Sequence, residues 1–325
     1  MSRGIKILYV LPVAVCLLWS SCIRDSIPPC PPLQVTLTVK DKNYFNIDDA
    51  VKLGLMERKA ENLPFRDYVS TLYYIVHDAE GKVVAEQKNT LVDNDNQTQL
   101  ITLPESLPYG KYTLTVWGNM KSDEPLGEDA TTAEMEAVGA AANDIYLASA
   151  TFDYRYGNEE HSLAMERTKG NLLIKAEGIP DNIDFSTKDI QDIYNFVDNG
   201  FQYSTLTDIH TELDWQEIRS EIKSETLMCP SPSYEGSTLS VMFIDKSAAG
   251  TQGRATYHPT LEPQDVNITM GRNEITILKY VYVDEGGSGE GDFEIYLRVN
   301  DNWELLHGME LDWIDRLLIM LLFIV

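Results

Sequence analysis

Alternation of apolar and polar residues sets in abruptly at Leu33. LQVTLTVK (33–40) puts Leu, Val, Leu and Val at every second position, the period of a strand with one buried face. Residues 41–66 lose this period and carry many charges, which predicts a long loop with a short helix. YVSTLYYIVHDAEGKVVAEQ (68–87) then reads as two strands, 68–77 and 82–87, joined through Asp78-Ala79-Glu80-Gly81. The glycine there can take the positive φ of a hairpin turn. QTQLITLPESLPYGKYTLTVWGN (97–119) repeats the device, with strands at 100–103 and 111–117 around a Pro/Gly turn. Residues 122–142 are acidic and alanine-rich and predict a connecting loop with one or two helical turns. A further strand pattern runs over 145–156 and closes at Gly157-Asn158-Glu159-Glu160.

A second set of strands opens with GNLLIKAEGIP (170–180). It continues through a hairpin tip at Val197-Asp198-Asn199-Gly200 and the runs STLSVMFI, NEITILKYVYV and DFEIYLRV. Strands recurring about every ten residues, twice over, predict an all-β chain of two tandem β-sandwiches. The expected boundary lies near residue 160, giving domains at 33–160 and 161–308. No heptads and no short solenoid period are visible.

Both ends depart from the strand pattern. Arg3 and Lys6 precede a run, Ile7–Trp19, that is apolar except for the break at Pro12, and Ser20-Ser21 then leads to Cys22. A charged start, an apolar core and a small-residue site make a secretory signal over 1–21. The run is shorter than the roughly 20 residues that span a bilayer. A cysteine directly after the small residues marks the lipoprotein form of that signal, in which the Cys22 thiol carries the lipid. Residues 22–32, rich in proline, then form a stiff lipid-anchored spacer. At the other end Leu317–Val325 is unbroken apolar sequence within a hydrophobic tail, 309–325. Three readings of that tail stand side by side: a helix capped by Asp312, a strand given to a partner's open groove, or an end without an evolved role.

Composition narrows the partners. Lys and Arg number 26 against 51 Asp and Glu, a net charge of −25. Nucleic acid is excluded as a partner, because phosphate contacts need clustered cations. A covalent lipid holds such an acidic body at a membrane where its own field would repel anionic headgroups. Of the four cysteines, Cys16 leaves with the signal and Cys22 carries the lipid. Cys30 and Cys229 remain, either as a disulfide or as two free thiols.

The ordered pieces STLYYIVHDAEGKVV, LPYGKYTLTVWGN, ERTKGNLLIKAEGIP and GDFEIYLRVNDNWE follow a lipid cysteine and Pro-Cys-Pro. Together they resemble the FimB-like family of fimbrial anchor subunits of Bacteroidales. The resemblance implies two transthyretin-like domains, a lipid anchor at Cys22 in the cell outer membrane, and a role in fixing the base of a fimbria and limiting its length. It also implies a shaft subunit as partner, joined by β-strand complementation. In that scheme a protease frees a groove by removing a subunit's first strand, and an anchor that keeps 33–40 ends the polymer. Arg58 and Arg66 lie in the loop after that strand, where an Arg-specific protease would cut. The alternative is a surface lipoprotein that binds glycans or host protein through the same sandwiches.

No catalytic, cofactor or metal site is assigned. The five histidines, His77, His161, His210, His258 and His307, are dispersed. GGSGEG (286–291) lacks the Lys-Ser/Thr of a phosphate loop and reads as a hairpin loop. Asp93–Thr98 starts like a calcium loop but lacks its glycine and its final glutamate. Tyr73, Tyr74, Tyr112 and Trp117 could form a sugar platform, but the odd spacing of Tyr112 and Trp117 puts them on opposite strand faces, as in core packing.

Overall fold

In the computed structural model, residues 31–215, 221–246, 259–284 and 291–307 are described. Cys22, Cys30, His258, most of the GGSGEG loop and the tail 309–325 lie outside them. The all-β expectation is met.

The first alternating segment forms β1 (Gln34–Val39), and Leu33, Val35, Leu37 and Val39 all turn inward and are buried. This strand lies inside its layer. It runs parallel to β8 (Glu160–Arg167) on one side and antiparallel to β4 (Gln99–Thr102) on the other. The facing layer has the order β3 (Val83–Leu91), β2 (Thr71–His77), β5 (Gly110–Gly118), β7 (Tyr146–Tyr154). β7 and β8 share only the pairs Tyr146–Arg167 and Leu147–Glu166 before they part, so the sheet folds over there into two layers. Side chains of β1 meet Leu72, Val76, Leu114, Val116 and Tyr146 between them.

The hairpin between β2 and β3 is built as its sequence predicts. Gly81 has φ +80°, and the Asp78 carboxylate accepts the amides of Glu80 at 3.1 Å and Lys82 at 2.8 Å. Such side-chain closure is the reason aspartate opens tight turns. The first sheet does not end at the expected boundary of 160: β8 continues it to Arg167.

The second sandwich starts at once with β9 (Gly170–Glu177). One layer has the order β12 (Glu221–Met228), β9, β16 (Ile275–Val283), β17 (Asp292–Val299), β18 (Asn302–His307). The other joins β11 (Tyr203–Asp214), β10 (Phe185–Asp198), β13 (Ser237–Ile244) and β14 (Pro259–Leu261), with β15 (Val266–Ile268) also on β13. Asp198-Asn199-Gly200 sits at the tip of the β10–β11 hairpin, as read from the sequence.

Two segments of the first sandwich reach across to the second. In the loop after β1, the helix α1 (Ile47–Lys52) packs Ile47 and Ala50 with Tyr44 against Leu173, Ile275 and Ile277. Residues 122–142, expected to hold helical turns, instead give a short strand, β6 (Thr132–Glu134), which pairs with Phe196–Asp198 of β10. β8 runs from the first sandwich's outer end to the seam, and β9 starts at the seam, where Asn171 takes the Glu274 carbonyl and Leu173 meets α1. At about 3.3 Å per residue, the path from the start of β8 to the end of β9 sets the poles at most about 60 Å apart.

Candidate functional surface

The seam between the sandwiches is polar at its rim and locked by buried cations. Arg167 is buried; its Nε donates to Asp144 at 2.8 Å and its Nη1 to Asn273 at 3.1 Å. Its guanidinium also lies 4.3 Å from the Tyr44 ring centre. Arg272 donates to Glu166 at 2.9 Å and to the Arg167 carbonyl at 3.0 Å. The Asn46 side chain bonds both backbone groups of Ile275, at 2.7 and 2.9 Å.

Lys169 is fully buried just behind this rim. Its ammonium donates to the carbonyls of Met135, Ala140 and Ala141, each at 2.9 Å, and lies 3.8 Å from Glu136. Burial lowers the lysine's pKa, and burial raises the Glu136 carboxyl from its ordinary 4.5 to about 7 against the pull of Lys169. Glu136 also borders an open cleft of about 650 Å³ together with His210 and Glu225. A carboxyl whose pKa rises on folding stabilises fully below about 4.5, and that contribution is lost as pH climbs through 7. The difference corresponds to at most about 3 kcal/mol. Urea unfolding at pH 5 and pH 8 should therefore show a loss for the native chain that is smaller in Glu136→Gln. Equal losses in both proteins would sink the assignment.

The aromatics weighed as a sugar platform are instead used in packing, as their spacing predicts. Tyr112 and Trp117 do fall on opposite faces of β5, yet both are buried. Tyr112 belongs to the core between the layers, while Trp117 packs in the seam and donates to the Ala130 carbonyl at 2.8 Å. The outer face of β5 is covered by the segment that carries β6. Tyr73 is buried on that same face and donates to Glu86 at 2.6 Å, and Tyr74 packs partly buried against the inner core. In Asp93–Thr98 the side chains are already engaged: Asp95 pairs with Arg66 at 2.5 Å, and Asn94 bonds Gln99 at 2.6 Å. No group of three or more His, Cys, Asp and Glu is placed to hold a metal ion among the described residues. His210, on the exposed face of β11, has carboxylate neighbours, Asp189 at 2.6 Å and Glu212 at 3.5 Å. Cys229 is buried with no disulfide partner among the described residues, and burial pushes its thiol up to about 12, far from a nucleophile's range.

What remains is β1 and the two poles. Gln34 takes the carbonyl of Glu159, Leu33 accepts from Leu103, and Lys40 donates to Met165, so the strand is tied from end to end. Arg58 and Arg66 stand on the surface beyond it, paired with Asp48 and Asp95 at 2.5 Å each. The chain enters β1 at the outer pole of the first sandwich. It leaves β18 at the sheet edge, heading away from the seam, since His307 pairs with Ile295 while Asn302 pairs with Val299.

Comparison with known proteins bears directly on this arrangement. Residues 27–169 match the family model of the fimbrillin-A associated anchor proteins Mfa1 and Mfa2. The resemblance to fimbrial anchor subunits thus holds through β8, and the match stops where the first sheet ends. Among solved structures, a candidate adhesin from Bacteroides thetaiotaomicron aligns at TM-score 0.55 and 12% identity, over 86% of this chain and 100% of that one. A candidate adhesin from Bacteroides ovatus aligns at TM-score 0.52 and 13% identity, over 89% and 98%. These two share the fold. The fimbrial anchor protein Mfa2 from Porphyromonas gingivalis aligns at TM-score 0.49 and 14% identity, over 86% and 100%. No curated protein matches the chain. That family model describes fimbrial anchor proteins, and its match covers less than half of this chain.

Proposed function

We propose that this protein is a non-catalytic lipoprotein that anchors a cell-surface fimbria at the outer membrane and ends its polymer there. The observation that carries the reading is β1, paired on both sides within its layer and followed by a loop that offers Arg58 and Arg66 to a protease. A subunit that loses this strand gains a groove and can accept a neighbour by strand addition. A subunit that keeps it has no vacancy in that layer. β1 starts twelve residues after Cys22, so cutting behind it would also sever the body from its lipid. Anchoring and termination become one condition. The shaft subunit is then engaged from the far pole, toward which β18 runs.

Amino-terminal mass spectrometry of protein taken from cells tests the reading. The expected mature terminus is a lipid-modified Cys22. A terminus at Lys59 or Asp67 would make this a polymerising shaft subunit instead. Cys22→Ala should move the protein, with any attached fimbriae, from the membrane fraction to the medium without altering its unfolding curve, because the spacer separates lipid from core. A variant that stays in the membrane after a carbonate wash would refute the lipid anchor.

A further inference from the structure

The pole at which the chain enters the first sandwich carries two exposed tyrosines. Strand register puts them there: Gln34 of β1 lies beside Glu160 of β8 and Thr102 of β4, and Gly110 of β5 lies beside Tyr154 of β7. Tyr109 stands just before β5 and is 43% exposed, and Tyr156 stands at the tip of the β7–β8 turn and is 84% exposed. The backbone carrying Tyr156 is fixed, and the Tyr109 ring is packed. The Tyr156 turn is closed by a bridge between Arg155 and Asn158 and by Gly157 at φ +77°. Tyr109 packs edge-on against Tyr154, ring centres 4.9 Å apart, and the Tyr154 hydroxyl donates to the Pro31 carbonyl at 2.8 Å. The entering chain, Tyr154 and Tyr109 are one connected set of contacts.

We propose that this pole rests on the membrane surface, with Tyr109 and Tyr156 seated among uncharged or zwitterionic lipid headgroups. The inference depends on the lipid at Cys22. Between Cys22 and Pro31 the chain is nine residues long, so at about 3.1–3.3 Å per residue it spans at most about 30 Å. The pole can therefore reach the bilayer. Tyrosine suits that position, because its ring enters the headgroup layer while its hydroxyl stays hydrated. Charge decides the lipid class. Exposed Glu80, Glu105, Asp153 and Glu160 surround the pole and outweigh Lys82, Lys111 and Arg155, so an anionic surface would repel it. A zwitterionic one exacts no such penalty. Contact at two points of one rigid pole would set the long axis upright on the membrane, where a lipid on a spacer alone leaves the orientation free.

The test uses the full lipidated protein on phosphatidylcholine vesicles whose acyl chains are brominated near the headgroup. Tyr156→Trp reports the pole, and Asp181→Trp, in the turn after β9 at the opposite end, is the control. Co-sedimentation with vesicles is measured on the same samples. With contact, the extra emission of Tyr156→Trp falls by roughly half or more on brominated lipid, that of Asp181→Trp does not, and added anionic lipid weakens the quenching. Co-sedimentation without quenching at position 156 overturns the proposal and leaves the lipid anchor standing. Equal quenching at both positions overturns it as well, since the body would then lie flat. Failure to co-sediment refutes the lipid anchor and this contact with it.

Discussion

A protein beginning at Lys59 is expected to lose its first sandwich as a folded unit. Such a chain lacks Leu33, Val35, Leu37 and Val39, all buried between the layers. Each fully buried Val or Leu is worth about 1.5–3 kcal/mol, so the four together contribute about 6–12. That equals the whole margin of a typical domain, about 5–15 kcal/mol. The same cut removes α1 and Asn46, which hold the seam through Ile275. Trp117, fully buried in the native seam, reports the loss as a red-shifted emission. A synthetic peptide covering residues 31–40 should restore part of the native signal in trans, by pairing with the exposed edges of β8 and β4. A truncated chain with the native urea midpoint would contradict the central place given to β1.

Lys169→Ala is expected to be the most damaging single substitution in the seam. It leaves the carbonyls of Met135, Ala140 and Ala141 without their donor and opens a cavity where the side chain lay. Breaking a buried charged hydrogen-bond set in this way costs about 3–5 kcal/mol. Lys169→Met fills most of the volume but restores no donor, so it should recover only the packing part of the loss. Urea midpoints of the two variants separate these contributions. If Met and Ala behave alike, the hydrogen bonds carry the effect. If Met is native-like, the lysine serves only as filler.

Much of this fold was legible because one-sided burial leaves a period of two. β1 and β5 alternate in sequence in this way, β2 and β7 read as apolar runs, and the Asp78–Gly81 turn announced its hairpin. β8 was hidden, since EHSLAMER has polar residues on most positions and buries only Met165 and Arg167 fully. Its pairing with β1 joins segments more than a hundred residues apart, which no local pattern encodes. The opposite-face reading of Tyr112 and Trp117 was correct in geometry, but the cover over Trp117 comes from 122–142, whose charges and alanines suggest solvent. There β6 finds its partner in β10, a tertiary pairing that overrides weak local propensity. Nothing marks Lys169 as an interior residue, because three backbone carbonyls satisfy it and carbonyls are invisible in a sequence. The candidate surface divides the same way: the first strand could be read directly, while the tyrosine-bearing pole needed strand register.

Because β1 lies between two neighbours and is entered from the outer pole, a pull on the chain ahead of Leu33 acts along the strand axis. The ladders to β8 and β4 are then loaded in shear, all their hydrogen bonds resisting together, whereas an edge strand pulled sideways gives way one bond at a time. The force passes from β8 directly into Lys169 and β9 without crossing a slack linker. Survival under tension is governed by the unfolding rate rather than by equilibrium stability. The orientation of one strand thus makes the first sandwich mechanically strongest along the axis of β1.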